Sequence, residues 1–142
     1  MRFWCVMRRL VLLVDTTVLY SALAYKGPES KVLFSGDHFF ATTEYTFAEI
    51  NRILTTKMRM SPVDARSLVE AVPVLVADRE FLGGRWDEAE RLIARRDRSD
   101  VPLVALALTI EGHHDGIWST DRDFDVVRGR FKVWKTRELA KG

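Results

Sequence analysis

The clearest pattern in the chain is an apolar run that ends in an acid, Leu10-Val11-Leu12-Leu13-Val14-Asp15. A short continuous apolar run is typical of a strand buried on both faces, as in a parallel sheet. Asp15 then lies at the carboxyl end of this strand, the edge where open α/β sheets bind ligands. Because a buried carboxylate needs a partner, Asp15 is either a site residue or the N-cap of the next helix, and the run alone does not distinguish these roles.

Further strand and helix patterns alternate along the rest of the chain. Short apolar runs predict strands at 38–41, 72–76, 117–119 and 131–134. Helical spacing predicts helices at 18–25, 44–57 and 86–96, a short helical turn at 29–34, a helix that starts at Ser61-Pro62, and an almost wholly apolar helix at 103–110. This alternation predicts an α/β fold, a three-layer α/β/α domain with a mostly parallel central sheet of about five short strands.

The chain shows no internal repeat, low-complexity tract or linker. We therefore expect residues 1–142 to form a single domain, with residues 1–8 as a dispensable N-terminal extension, because the strand pattern begins after Arg9. Pro73 suits the first residue of a strand or an edge strand. The apolar face Ala65/Leu68/Val69 fits either core packing or a partner interface, and core packing is the default.

Charge alone does not identify a partner. Lys and Arg number 22 against 20 Asp and Glu, a net charge of +2, so only local clusters are informative. Such clusters are usually solvated faces, and they indicate nucleic-acid binding only where they border a site that handles phosphate. The two basic clusters are Arg85, Arg91, Arg95, Arg96 and Arg98, which lead towards Asp100, and Arg128, Arg130, Lys132, Lys135 and Arg137.

The N-terminal apolar run does not predict a signal peptide, because Asp15 interrupts it and no small-residue cleavage site follows. No stretch approaches the ~20 apolar residues of a membrane span. Cys5 is the only cysteine, which excludes an intramolecular disulfide and suits a reducing compartment. We expect a cytoplasmic protein with no membrane contact.

Four acids occupy similar positions in this layout: Asp15, Glu49, Asp100 and Asp121. Each has a structural alternative, as a helix cap or an ion pair, which is the better interpretation when it is taken singly. Together they favour a site, because converging carboxylates take up protons unless a cation is present. Oxygen ligands favour Mg²⁺ or Mn²⁺, and no Cys/His cluster of zinc spacing exists. The implied chemistry is metal-dependent hydrolysis of a phosphodiester.

The motifs that carry these acids resemble those of the PIN-domain family. They are Val14-Asp15-Thr16-Thr17-Val18-Leu19, the helix 44–50 that ends in Ala48-Glu49, the stretch 97–108 with its Asp100-Val101-Pro102 start, and Trp118-Ser119-Thr120-Asp121-Arg122-Asp123-Phe124. The resemblance implies a Mg²⁺- or Mn²⁺-dependent ribonuclease similar to the VapC-type toxins of toxin–antitoxin pairs. It also implies a homodimer, and an antitoxin protein that blocks the site.

The resemblance assigns metal binding and catalysis to Asp15, Glu49, Asp100 and Asp121. Asp123 matches a further metal-binding acid that some members have. The resemblance also implies that Thr16 or Thr120 hydrogen-bonds the site or a substrate phosphate. Two positions depart from the pattern or leave it open: Thr17 stands where many members have Asn or Ser, and Asp97, one turn before Asp100, is an alternative ligand. Asp100 is preferred because it abuts the buried helix.

The remaining candidates favour structural roles. His113-His114 fits a metal or base role, but a solvent-exposed loop pair on the side away from the acids is the stronger interpretation. Trp118 and Trp134 fall inside predicted strands and favour core packing, whereas Trp86 is undecided between packing and base stacking.

Two other functions compete with RNA cleavage. The first is a catalytically silent PIN-fold module that binds RNA or a protein partner, which does not need four converging carboxylates. The second is a phosphatase of the haloacid-dehalogenase type, which also begins with an Asp after a buried strand. That chemistry uses a second acid two residues later, where this chain has Thr17.

Overall fold

A parallel sheet forms the middle layer of the protein. The computed structural model describes residues 9–93, 95 and 97–140. The sheet has the order β3-β2-β1-β4-β5, and each neighbouring pair is parallel. All five carboxyl ends therefore meet at one edge. The strands are β1 (Val11–Val14), β2 (Phe39–Thr43), β3 (Leu75–Ala77), β4 (Gly116–Trp118) and β5 (Val133–Trp134).

Helices form the two outer layers. Within the described residues the α-helices are α1 (Thr16–Ala24), α2 (Pro28–Leu33), α3 (Glu44–Thr56), α4 (Pro62–Glu70), α5 (Arg79–Leu82), α6 (Trp86–Ile93), α7 (Val101–Thr109) and α8 (Thr136–Leu139). Three 3-10 segments lie at Gly83–Arg85, Arg98–Asp100 and Arg122–Val127. The three-layer α/β/α prediction is confirmed. No helix in the described ranges is both long and apolar enough to cross a membrane.

Successive side chains along a strand point to opposite faces of the sheet, and they pack into two separate hydrophobic cores. Leu13 of β1 packs with α5, α6 and α7, whereas Leu12 and Val14 pack on the opposite face with α1, α2, α3, α4 and α8. All residues of α7 from Val101 to Leu108 are buried, because the sheet covers one side of this helix and α6 with its neighbours covers the other. The prediction of a buried apolar helix is confirmed, and so is core packing for Ala65 and Val69, with Leu68 partly buried beside them.

Several predicted boundaries were wrong. The third strand lies at 75–77 rather than 72–76, because Pro73 has no N–H to donate to the ladder. The fifth strand is only Val133–Trp134. Helix α1 begins at Thr16 rather than Val18, since Asp15 caps it.

The sequence did not predict α8. Ala94 and Arg96, in the last part of the helix predicted for 86–96, lie outside the described residues, as does the proposed extension at residues 1–8.

Gly116 allows β5 to approach β4 closely. Its φ is +130°, and a Cβ at this position would lie 2.3 Å from the carbonyl oxygen of Lys132. That carbonyl accepts the Ile117 N–H at 2.8 Å. Only glycine satisfies both the positive φ and the close backbone contact, so Gly116 fixes the register of the strand that leads to Ser119 and Asp121.

Candidate metal centre

Acidic side chains from distant parts of the chain converge at the carboxyl edge of the sheet. A cavity of about 370 Å³ opens there between α1, α3 and the start of α7. The acids that line it are Asp15, Glu49, Asp97, Asp100 and Asp121. The topology explains this convergence, because β1 and β4 are adjacent parallel strands that end side by side.

Asp15 is held by hydroxyl and amide donors. Its carboxylate accepts hydrogen bonds from the Val18 N–H at 3.0 Å, from the Thr17 hydroxyl at 2.7 Å and from the Ser119 hydroxyl. Burial raises the pKa of Asp15 to about 6, against the lowering effect of these hydrogen bonds. Asp15 is therefore both the N-cap of α1 and a wall of the cavity, so the two interpretations of the sequence are compatible.

Asp100 occupies the N-cap position of α7, but its side chain makes no capping hydrogen bond. Its Oδ2 is buried, and no hydrogen-bond partner for it exists among the described residues. Burial raises the pKa of Asp100 to about 8, with further contributions from the negative charges of Asp97 and Asp121. The capping alternative is wrong for this residue, and its carboxylate lacks the compensation that a buried charge requires.

Asp100 belongs to a tight cluster of four aspartates. Asp97, Asp100, Asp121 and Asp123 each place one carboxylate oxygen within 4.8 Å of the others. Asp97 is anchored by the Ser99 N–H and hydroxyl at 2.9 and 2.7 Å. The donors are all carboxylate oxygens, which is the chemistry that Mg²⁺ and Mn²⁺ prefer. These residues therefore fit a divalent cation.

Glu49 approaches the same cavity from α3. Thr43 caps this helix by accepting the Thr46 N–H at 3.1 Å, and the Thr16 hydroxyl donates to Glu49 Oε1 at 2.7 Å. The alternative that Glu49 pairs with Arg52 is not seen among the described residues. Asp15 and Glu49 lie outside the group of four aspartates but line the same cavity.

Ser119 is the site residue that the sequence analysis missed. Its hydroxyl donates to Asp15 and accepts the Asp121 N–H at 2.9 Å, so it links two of the predicted acids. The register of β1 against β4 pairs Val14 with Trp118, which places the next residues, Asp15 and Ser119, side by side. Once the pairing of β1 with β4 is known, comparing the residues that follow the two strands identifies Ser119.

The threonines near the site bind protein groups. Thr16 donates to Glu49, as described above, and the Thr120 hydroxyl donates to Thr17 at 3.0 Å. Thr17 thus hydrogen-bonds Asp15 in the position where many PIN members have Asn or Ser.

The histidine pair lies away from the acids, as predicted, but His114 is not a solvent-exposed loop residue. It is half-buried, and its ring packs on Phe131 with centroids 5.4 Å apart. Its Nδ1 accepts the Gly116 N–H, so the proton is on Nε2, which donates to the Ala107 carbonyl at 3.0 Å. His113 is exposed. Through these two hydrogen bonds, His114 connects the amino end of β4 to α7.

The tryptophans favour packing over base stacking. Trp118 is fully buried, and the half-buried Trp134 donates its indole N–H to the Asp115 carbonyl at 2.7 Å. Trp86 is half-buried against Tyr45, with ring centroids 5.3 Å apart. Core packing is thus confirmed for Trp118, and the structure assigns Trp86 a packing role.

Most basic residues of the C-terminal cluster are engaged within the protein. Arg130 binds Glu111 at 2.8 Å and Glu88 at 2.8 Å, and Arg128 binds Asp125 at 2.8 Å. Such partly exposed pairs are the solvated face that a charge run usually forms. Arg98, which belongs to the other basic cluster and precedes Asp100, differs: its only ion pair among the described residues is a 3.9 Å contact with Glu90.

A five-stranded parallel sheet with helices on both faces and an acidic carboxyl edge defines the class of protein. A family model described as PIN domain matches residues 13–141. The chain belongs to the PIN-domain family, and the resemblance drawn from its motifs is confirmed. A search of curated proteins finds no significant match.

Two solved structures share the fold. One is the crystal structure of VapBC2 from Rickettsia felis bound to a DNA fragment from its promoter, with a TM-score of 0.64 and 10% identity over 89% of this chain and 98% of that one. The other is VapC20 from Mycobacterium tuberculosis, a toxin that cleaves the sarcin–ricin loop, with a TM-score of 0.58 and 16% identity over 82% and 94%. At these identities the likeness establishes the fold alone.

Proposed function

We propose that this protein is a ribonuclease that uses Mg²⁺ or Mn²⁺ to hydrolyse phosphodiester bonds of RNA. The observation that carries the proposal is Asp100, which has a buried and unpartnered Oδ2 and whose carboxylate clusters with those of three other aspartates. A divalent cation supplies the positive charge that this arrangement lacks. Membership of the PIN-domain family supports a nuclease activity.

Asp15, Glu49, Asp100 and Asp121 would hold the cation directly or through water, with Asp97 and Asp123 as further ligands. When bound, the cation supplies Lewis acidity that lowers the pKa of an attacking water and stabilises charge on the phosphate. The chain's own contribution is orientation. Ser119 and Thr17 fix the Asp15 carboxylate by hydrogen bonds, and Thr16 fixes Glu49, so the ligands need little rearrangement on binding.

We further propose that the protein is the toxin of a toxin–antitoxin pair and forms a homodimer. The support comes from the fold shared with VapBC2 and VapC20. An antitoxin segment that enters the acidic cavity would block the site. Light scattering of the purified chain tests the dimer, and a monomer at micromolar concentration would contradict that part of the proposal.

The test is cleavage of a mixed RNA pool by the wild type with Mn²⁺, by the wild type with EDTA, and by Asp15→Asn with Mn²⁺. Asparagine keeps the volume of the side chain and removes its charge, so the fold is expected to persist while metal affinity falls. We expect cleavage only by the wild type with Mn²⁺, and a loss on the order of 100-fold or more for the variant.

Three outcomes count against the proposal. Full activity in EDTA would exclude the metal mechanism. No cleavage by folded, Mn²⁺-loaded wild type would favour the silent binding module instead. Trapping of a phosphoryl group on Asp15 would favour the phosphatase.

A further inference from the structure

The peptide group between Val14 and Asp15 is restrained from both sides of β1. On the β4 side, the Asp15 N–H donates to the Trp118 carbonyl at 3.4 Å, which is longer than a usual hydrogen bond. On the β2 side, the Val14 carbonyl accepts the hydroxyl of Thr42 at 2.7 Å. Because the orientation of this peptide group helps to set the direction of the Asp15 side chain, the shorter bond to Thr42 is the tighter restraint on that carboxylate.

Thr42 is fully buried, with an exposed fraction of 0%. Valine has nearly the same shape, and apolar β-branched side chains are the usual filling of a strand buried on both faces, so packing does not require the hydroxyl. A buried hydroxyl also costs free energy unless it is hydrogen-bonded. Here its partner is the backbone carbonyl that immediately precedes a site acid, which indicates a role beyond packing.

The next residue of β2 extends this connection to a second acid. Thr43 caps α3 by accepting the Thr46 N–H at 3.1 Å, and α3 carries Glu49. The Thr16 hydroxyl donates to Glu49 Oε1 at 2.7 Å, which leads back to the residue after Asp15. Covalent and hydrogen bonds thus form a closed ring through both acids, and both acids line the cavity.

We propose that Thr42 is a positioning residue of the metal centre, whose hydroxyl closes this ring and fixes the separation and orientation of Asp15 and Glu49. The inference rests on the proposed metal centre but not on the RNA substrate. Thr42 acts through the Val14 carbonyl rather than on the cation itself. Its removal therefore lowers the fraction of molecules in which both carboxylates point at the ion.

The test measures the Mn²⁺ affinity of the folded protein by electron paramagnetic resonance of free Mn²⁺. Thr42→Val keeps the shape of the side chain and removes the hydroxyl, and it is expected to weaken Mn²⁺ binding on the order of 10-fold. Thr109→Val is the matched control, because the Thr109 hydroxyl also donates to a backbone carbonyl at 2.7 Å, that of Ala105, but at the end of α7 opposite to Asp100. This control is expected to keep the affinity within about twofold of the wild type.

Two further variants separate positioning from packing. Thr42→Ser keeps the hydroxyl and loses a buried methyl group, so it is expected to lower the free energy of unfolding while the Mn²⁺ affinity stays near that of the wild type. Thr42→Ala removes the hydroxyl and is expected to weaken Mn²⁺ binding as much as Thr42→Val, which also covers the case in which the valine variant does not fold. If Thr42 only filled space, the Mn²⁺ affinity would follow stability across the three variants.

Hydrogen exchange of the Val18 amide gives a second measurement in the metal-free protein, because this N–H donates to Asp15 Oδ1 at 3.0 Å. A carboxylate that is held less firmly protects this amide less. We expect faster exchange at Val18 in Thr42→Val and an unchanged rate in Thr109→Val.

Wild-type Mn²⁺ affinity together with wild-type Val18 exchange in folded Thr42→Val would overturn the positioning role. If the wild type binds no Mn²⁺, the proposed metal centre fails; faster Val18 exchange in Thr42→Val would still sustain the positioning of Asp15, and an unchanged rate would overturn it. If the wild type binds Mn²⁺ but cuts no RNA, the ribonuclease proposal fails, and the Mn²⁺ affinities of the variants decide the role of Thr42 as before.

Discussion

Asp100 is the residue at which burial and charge conflict most strongly. Its pKa is raised from 3.8 to about 8 by burial and by the neighbouring aspartates. Between these two values the folded, metal-free protein keeps a proton that the unfolded chain releases. The free energy of unfolding therefore falls as the pH rises through this window. Asparagine does not titrate, so Asp100→Asn would remove this contribution to the pH dependence of the free energy of unfolding.

We predict that Asp100→Asn stabilises the metal-free protein more at pH 8 than at pH 4, by a difference on the order of 1–3 kcal/mol. Urea unfolding in EDTA at the two pH values measures this difference. Excess Mn²⁺ is expected to stabilise the wild type and to reverse the order of the two proteins at pH 8. If the difference in unfolding free energy between Asp100→Asn and the wild type did not change with pH, the pKa of Asp100 would not be raised in the folded protein.

At the residue scale, the sequence identified acids more readily than hydroxyls. Asp15 and Asp121 follow apolar runs, so their position at the sheet edge could be predicted from the chain alone. The roles of Ser119 and Thr17 could not, because they depend on the register of β4 against β1 and on rotamers that no local pattern specifies. Asp97 was an open alternative, and the structure places it beside Asp100 in the four-aspartate cluster.

At the scale of elements, the β4–β5 pair depends on one glycine. Gly116→Ala forces a Cβ against the Lys132 carbonyl and also strains a backbone with φ of +130°. We predict a loss of at least about 2 kcal/mol in the free energy of unfolding. Gly112→Ala is the control, because Gly112 also has a positive φ, +89°, but open space around its Cβ position.

Urea unfolding of the two glycine variants separates steric contact from backbone strain. The loss is expected to be smaller for Gly112→Ala than for Gly116→Ala. Equal losses would mean that the close approach of β5 contributes nothing. In Gly116→Ala we also expect weaker Mn²⁺ binding, since β4 leads directly to Ser119 and Asp121.

Long, strongly patterned elements were predictable, whereas short exposed ones were not. The run in β1 and the apolar helix α7 are buried on nearly every side, so their sequences carry a strong signal. Strand β3 has only three residues, with Leu75 77% exposed at the sheet edge, and its pairing is decided by β2 rather than by its own composition. The four-residue helix α8 has no apolar period long enough to detect.

At the scale of the whole molecule, two cores on opposite faces of one sheet hold the acidic edge in place. Neither core supplies the site alone, because Asp15 follows a strand shared by both, Glu49 comes from α3 and Asp100 from α7. This arrangement belongs to the PIN-domain family. That residues 1–142 form a single domain, with 1–8 dispensable, stays a prediction.

The most direct test of the account is a titration of Mn²⁺ into metal-stripped protein, with bound Mn²⁺ and the rate of RNA cleavage followed in the same sample. We predict that the rate rises in proportion to occupancy, and that both fall together in Asp121→Asn. A rate that is already maximal without the ion would contradict the proposed metal centre. Full occupancy with no cleavage of any RNA would contradict the proposed ribonuclease.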